Sequence, residues 1–307
     1  MNWISISIIA YLLIALGVII DKFLLSSNRI SHPVVYSFYS GVLSFFTIFV
    51  FLPFEIELVG LVEALEMFLF GIIFIYGILL LFFAIKKSEA SRVVPVVGVI
   101  IPLASLMIES ILLGQSFLIK EVMGIIVLIF GGLLISFDLP LKLGEKKFFA
   151  GFYYSIFAGT FLAISYSGAS YFYKEVGFVS GFSWTRVGVA IGALLMLLIP
   201  TWRKSIKNSI FGFKKAKKKN IRTGNLFILN KILNGVGSVL VNYAIAIGSV
   251  TLVNALVSVE YVFVFFLALI FHGIYPEIFS EKNKFYDILQ KIIAIMIIAA
   301  GIFLITS

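Results

Sequence analysis

Cysteine is absent from the 307-residue chain, which excludes disulfides, thiolate zinc sites and iron–sulfur clusters. Histidine occurs only as His32 and His272, so a histidine-rich metal site is excluded too, and no cofactor is expected. Charge is scarce: 13% of residues are charged, about half of what a soluble domain of this size carries. The sequence lacks His-Glu-x-x-His, Gly-x-Ser-x-Gly and Gly-x-x-x-x-Gly-Lys-Ser/Thr, so neither an enzyme of those classes nor ATP-driven transport is expected. A cleavable leader is not expected either. Met1-Asn2-Trp3 carries no basic residue, and no Ala-x-Ala follows the first apolar run.

What the chain has in abundance is apolar surface. It is 61% hydrophobic, with a mean hydropathy of +1.13, which points to an all-α polytopic membrane protein of the cell membrane. Ten segments are long enough to span, near 3–20, 34–54, 64–85, 93–114, 122–138, 149–172, 182–200, 224–247, 250–272 and 286–305. Strict alternation is missing, so a β-barrel is not expected.

The basic residues are unevenly placed. Twenty of the 24 Lys and Arg fall in one set of alternate loops, and only Lys120 and Lys174 in the other. This bias puts the basic loops in the cytoplasm and both termini outside. The opposite 2–3 loop is acidic, with Glu55, Glu57 and Glu63. The loop 201–223 carries nine basic residues between Arg203 and Arg222. A run of this kind in a membrane protein marks a cytoplasmic loop near anionic lipid, and nucleic acid is not expected as a partner. Ile206, Ile210 and Phe213 repeat at helical spacing within it, so the loop reads either as a helix lying on the inner leaflet or as a disordered topology signal.

Two halves can be laid on each other. Ala84–Ala104 on Ala244–Val264 matches Ala84/Ala244, Ile85/Ile245, Val93/Val253, Val97/Val257 and Val99/Val259. Ile125–Phe137 falls on Ile295–Ser307, and Gly41 and Pro53 fall on Gly188 and Pro200. Five helices per half is an odd number, so the expected architecture is two inverted five-helix repeats, residues 1–140 and 147–307.

Polar residues stand out against this background. Asn230, Asn234, Ser238 and Asn242 are spaced by four and share one helix face, reading as cavity lining more than helix-packing glue. Lys231 and Glu260 lie on consecutive spans joined by a tight turn. If those helices run side by side, the two can form an ion pair. It is either a fixed structural pair or a working one, with Glu260 a protonation switch or counter-charge for an amine and Lys231 an anchor for carboxylate or phosphate. Asn254 and Tyr261 continue the theme, and Tyr11, Tyr76 and Tyr166 are further candidates for the cavity wall. Arg186, early in its span, either binds an anion or snorkels to the interface. Glu109 has the same ambiguity.

Several of these features resemble the EamA-type permeases of the drug/metabolite transporter superfamily. The resemblance is carried by Ala84-Ile85-Lys86-Lys87-Ser88-Glu89-Ala90, Pro102, Leu112-Leu113-Gly114-Gln115, the glycine-rich stretch Gly124 to Gly132, and Arg186. It implies a secondary transporter of small metabolites such as amino acids, working by alternating access as a monomer or homodimer. It also implies cytoplasmic termini, opposite to the charge bias. A non-transporting scaffold and a lipid-linked sugar flippase stay open as alternatives.

Overall fold

The computed structural model describes residues 2–25, 32–87, 90–136, 150–213, 221–273 and 285–306. No strand occurs among them. The helices are α1 (Trp3–Leu25), α2 (Pro33–Phe45), α3 (Leu61–Lys87), α4 (Ala90–Ile111), α5 (Ile119–Ser136) and α6 (Phe152–Glu175). They continue as α7 (Phe178–Leu195), α8 (Pro200–Phe213), α9 (Ile221–Ile247), α10 (Val250–Ala255), α11 (Val257–His272) and α12 (Phe285–Thr306). Short 3₁₀ turns, Phe46–Val50 and Met196–Leu198, extend α2 and α7. In hydrocarbon every backbone polar group must be satisfied internally, and the helix does this within one segment.

Nine spans among the described residues are long and apolar enough to cross a membrane, α10 and α11 together forming one of them. The expected span at 149–172 is a helix of 24 residues, α6, but it does not join that set. Its physical reason is position. α6 packs on α3, α4 and α7 and also touches α9 and α10, and it buries Ser155, Ser165, Ser167, Ser170 and Tyr173. Its packed face uses small polar residues, which let neighbours approach closely and lower its hydropathy, while Tyr153, Phe157 and Tyr171 on the other face stay exposed.

The element boundaries repeat along the chain. One constant shift carries Leu61 onto Ile221 and Lys87 onto Ile247, so that α3 and α9 coincide end to end at 27 residues each. The same shift lays Ala90 on Val250 and Ile111 on Phe271, so α4 covers α10 plus α11. Contacts between helices also come in matching sets: α1 on α9 with α3 on α6, and α1 on α10 and α11 with α4 on α6. α5 pairs with α12, α2 with α7 and α4 with α10.

Three expectations are corrected. α9 and the α10–α11 segment do not run side by side, because α1 packs along both and lies between them. The ninth span is not one continuous helix but breaks at Leu256, whose φ of −68° and ψ of −2° close α10 before α11 begins. Ile206 does not face lipid. It is fully buried on α8 in a cluster with Val34, Phe38, Ile75, Val189 and Met196, so the protein itself takes up that apolar residue. The side chains of Ile210 and Phe213 lie outside the described residues.

Candidate functional site between the helix bundles

Arg186 sits on the third turn of α7, where Gly181, Gly188 and Gly192 bring that helix close to its neighbours. It does not snorkel: the residue is 7% exposed. Its guanidinium lies 4.3 Å from the Phe182 ring centroid and 5.4 Å from that of Phe74. Nη2 approaches the Ser238 hydroxyl at 3.5 Å, and Nε has no hydrogen-bond partner. Tyr173 and Tyr166 of α6 are its electrostatic neighbours. Cation–π contact offsets only about 0.5–2 kcal/mol of the desolvation that a buried guanidinium suffers, against several kcal/mol for an unpaired charge.

Glu260 lies in the first turn of α11, next to the helix break. A helix N-terminus favours a carboxylate there. Tyr11, Tyr166 and Tyr261 lie within electrostatic reach of it. Neither Arg186 nor Glu260 has an ionic partner among the described residues. Tyr166 lies within electrostatic reach of both the Arg186 guanidinium and the Glu260 carboxyl.

Tyr11 of α1 is 3% exposed and donates to the Val253 carbonyl at 2.9 Å. That carbonyl belongs to the last turn of α10, where the break disturbs the helix ladder, so the phenol ties α1 to the discontinuity. Asn254 turns back on its own helix, donating to the Val250 carbonyl at 2.9 Å. Tyr261 stands over Gly98 of α4 and Gly132 of α5, and its hydroxyl is 3.5 Å from the Val94 carbonyl. It fills this seam and lines a small cavity there with Pro95, Gly98, Gly132 and Ser258.

The polar stripe on α9 divides. Asn242 accepts from the Tyr173 hydroxyl at 2.9 Å and donates to the Ser238 carbonyl at 2.8 Å, so Asn242 and Ser238 belong with Arg186. Asn230 is fully buried. It accepts from the Asn234 amide at 2.5 Å, and Asn234 occupies the space beside Gly17 of α1. This lower pair is bonded within α9 and packs against α1 at Gly17. Lys231 meets the hydroxyl and ring of Tyr36 on α2, with Nζ 4.1 Å from the ring centroid. Glu260 carries no hydrogen bond or ion pair of its own, so the two do not pair. Tyr76 packs on the cluster around Ile75 and Val189, apart from both charges.

Sequence reasoning did not single out Tyr36 or the aromatic rings beneath Arg186. The shift that lays α3 on α9 sets Lys231 against Gly71, a signal that something other than close helix packing operates there. Glu109 is not a snorkelling residue either. It is fully buried, and its carboxyl accepts from the Ser249 hydroxyl and Thr251 amide at 2.9 Å and the Val250 amide at 3.1 Å. It caps α10 from another helix. At the basic side, burial first and the Lys86 ammonium second hold His32 below the usual imidazole range.

No protein-family model matches the chain, and no curated protein matches it. Solved structures do match, 23 chains in all. One, described only as "Crystal structure of protein", is 15% identical, with a TM-score of 0.64 over 98% of this chain and 94% of that one. At that identity the likeness establishes a common fold, end to end, and nothing further.

Proposed function

We propose that the protein is a secondary transporter of small zwitterionic metabolites, amino acids among them, working by alternating access. The observation that carries this reading is the buried Arg186 guanidinium and the Glu260 carboxyl, neither with an ionic partner among the described residues and both within electrostatic reach of Tyr166. An ionisable group in the bilayer interior is costly, and two that the fold leaves without counter-ions are open to partners that a solute supplies. A solute carrying a carboxylate and an amine supplies both missing partners. Asn242, Ser238, Tyr173 and Tyr11 then form the polar wall, and the break at Leu256 places a helix start beside Glu260, a device typical of transporter sites.

Two inverted five-helix halves suit this reading. α6 serves as the tenth span, opening the second half as α1 opens the first. The matching helix contacts and the coincident ends of α3 and α9 support that arrangement. The resemblance to EamA-type permeases points the same way. Lipid supplies a further partner at the basic side. Arg203, Lys204, Lys207 and Asn208 of α8, with Leu198 and Pro200, line a concavity of about 290 Å³, and an anionic headgroup of the inner leaflet matches its charge.

Thermal stabilisation of the purified protein across a panel of amino acids, amines and carboxylates tests the proposal, because a ligand that binds the folded state raises the melting midpoint. Zwitterions should stabilise more than either single-charged class. Arg186→Gln and Glu260→Gln should each abolish that stabilisation while leaving the ligand-free protein folded. A proteoliposome screen with no flux of any amino acid, amine or nucleotide sugar would sink the reading.

A further inference from the structure

A basic helix beside a membrane ordinarily lies on lipid with its apolar face down. α8 cannot, because the protein already holds that face. Ile206 is fully buried with Val34 and Phe38 of α2, Ile75 of α3 and Val189 of α7, and Trp202, one turn earlier, packs on the same cluster. The helix is thereby fixed to α2 and to the 3₁₀ turn that ends α7. Helical spacing leaves Arg203, Lys204, Lys207 and Asn208 on the opposite face, and all four are exposed.

Arg203, Lys204 and Lys207 repel one another, Arg203 and Lys207 as a like-charged pair at i and i+4. None of the three forms an ion pair among the described residues. The face they share is hollow. With Leu198 and Pro200 they line the concavity of about 290 Å³, close to the ~300 Å³ at which small-molecule sites begin. That is room for a phosphate and a small headgroup alcohol, so acyl chains must lie outside it. A flank for them adjoins the hollow. Leu194 and Leu195 in the last turn of α7, and Leu198 and Ile199 after it, are exposed, and Leu198 belongs to both surfaces. An apolar strip running into a cationic hollow has the layout of a lipid with an anionic head. A soluble anion would fill the hollow and leave the strip uncovered.

We infer that one anionic phospholipid of the basic-side leaflet is a fixed ligand of this protein, its phosphate held by Arg203 and Lys207 and its chains laid on Leu194, Leu195 and Leu198. The inference deepens the lipid contact proposed above and rests on the membrane reading, not on transport. Arg203 supplies a planar fork that suits a phosphate, and Lys207 a point charge beside it. The bound phosphate offsets the repulsion along α8 and joins that helix to the end of α7. Ile206 meets Val189, one turn beyond Arg186 on α7, so the lipid steadies the helix that carries the buried guanidinium.

Native mass spectrometry of the full chain in detergent, titrated with dioctanoyl phosphatidylglycerol, counts the bound copies. One copy should bind well before any other, and dioctanoyl phosphatidylcholine should bind much more weakly. Arg203→Gln/Lys207→Gln should weaken that first copy about tenfold or more, the scale of losing one charged hydrogen bond. Both side chains are exposed, so the variant should fold, and its unfolding midpoint without lipid checks this. Lys217→Gln/Lys218→Gln removes the same charge from the same basic run and should leave the first copy within about threefold, as screened charges outside a site do. An equal loss from the two double variants means diffuse attraction and overturns the site, as does equal binding of phosphatidylcholine. Phosphatidylglycerol should also raise the unfolding midpoint of the parent but not of Arg203→Gln/Lys207→Gln. Inorganic phosphate should neither displace the lipid nor raise the midpoint; if it does either, the hollow takes free phosphate and the lipid assignment falls. Counting lipid requires no solute, so a protein that transports nothing leaves this result standing, and a failed count leaves the transporter reading untouched.

Discussion

Three carboxyl or guanidinium groups lie deep in this bundle, and they are stabilised by different means. Glu109 is met by two backbone amides and a hydroxyl at the start of α10. A carboxyl so placed is neutralised by aligned dipoles instead of a counter-ion. Replacing it with Ala strands three buried donors, which should cost about 2–4 kcal/mol of stability. Gln keeps one acceptor and should cost about half as much. Thermal unfolding in detergent measures both, and an Ala variant as stable as the parent would show that the cap contributes nothing. Arg186 and Glu260 have no such satisfaction, so their replacement by Gln should leave stability unchanged or slightly raised while solute binding disappears. That inverse pattern, stability lost at Glu109 and function lost at Arg186 and Glu260, separates structural charge from working charge. The sequence marks all three as anomalies in an apolar background but does not sort them. Sorting depends on which neighbours the fold brings within 3 Å, and those neighbours lie up to 142 residues away.

Helices are the most legible elements of this chain, because a run of apolar residues in lipid has no other way to satisfy its backbone. Their neighbours are far less legible. In lipid an apolar face carries no preference for one partner over another, so pairing is set by small residues and shape. The tight turn after Ile247 therefore suggests that α9 lies against the next span, yet Gly17 and Gly237 draw α1 between them. The stripe from Asn230 to Asn242 is legible as polar. Its division, with Asn234 filling the space at Gly17 and Asn242 reaching Tyr173, follows from that insertion. α8 shows the same limit. Its spacing announces an amphipathic helix, but only packing reveals that Ile206 enters the cluster of Phe38 and Val189. Ile206→Ala should cost about 2–4 kcal/mol, seen as a lower unfolding midpoint. A residue merely resting on lipid would give almost no change on reconstitution.

Between the two ends of the molecule lies an asymmetry that only the whole bundle displays. At the acidic end Gly71 and Gly188 lie backbone to backbone, with the tilted rings of Trp184 and Phe68 beside them, centroids 5.8 Å apart. Where the shift that lays α3 on α9 sets Lys231 against Gly71, α9 instead meets α2 through the side chains of Lys231 and Tyr36. If the protein transports by alternating access, as proposed, the first crossing must part when the second closes, since in that mechanism two similar halves exchange conformations about a fixed site. A disulfide joining position 57 to position 180, where the Glu57 amide already meets the Ser180 hydroxyl at 3.0 Å, would hold the acidic loop on α7, and with no native cysteine it would form without competition. The oxidised Glu57→Cys/Ser180→Cys protein should still bind zwitterions from the basic side, with an affinity within about threefold of the reduced form, because Arg186 and Glu260 are untouched. Flux should fall to background and return on reduction. The reduced double variant must be shown to transport before the oxidised one is interpreted. If flux persists in the fully cross-linked protein, the acidic crossing is not part of the path, and the solute leaves by another route through the bundle.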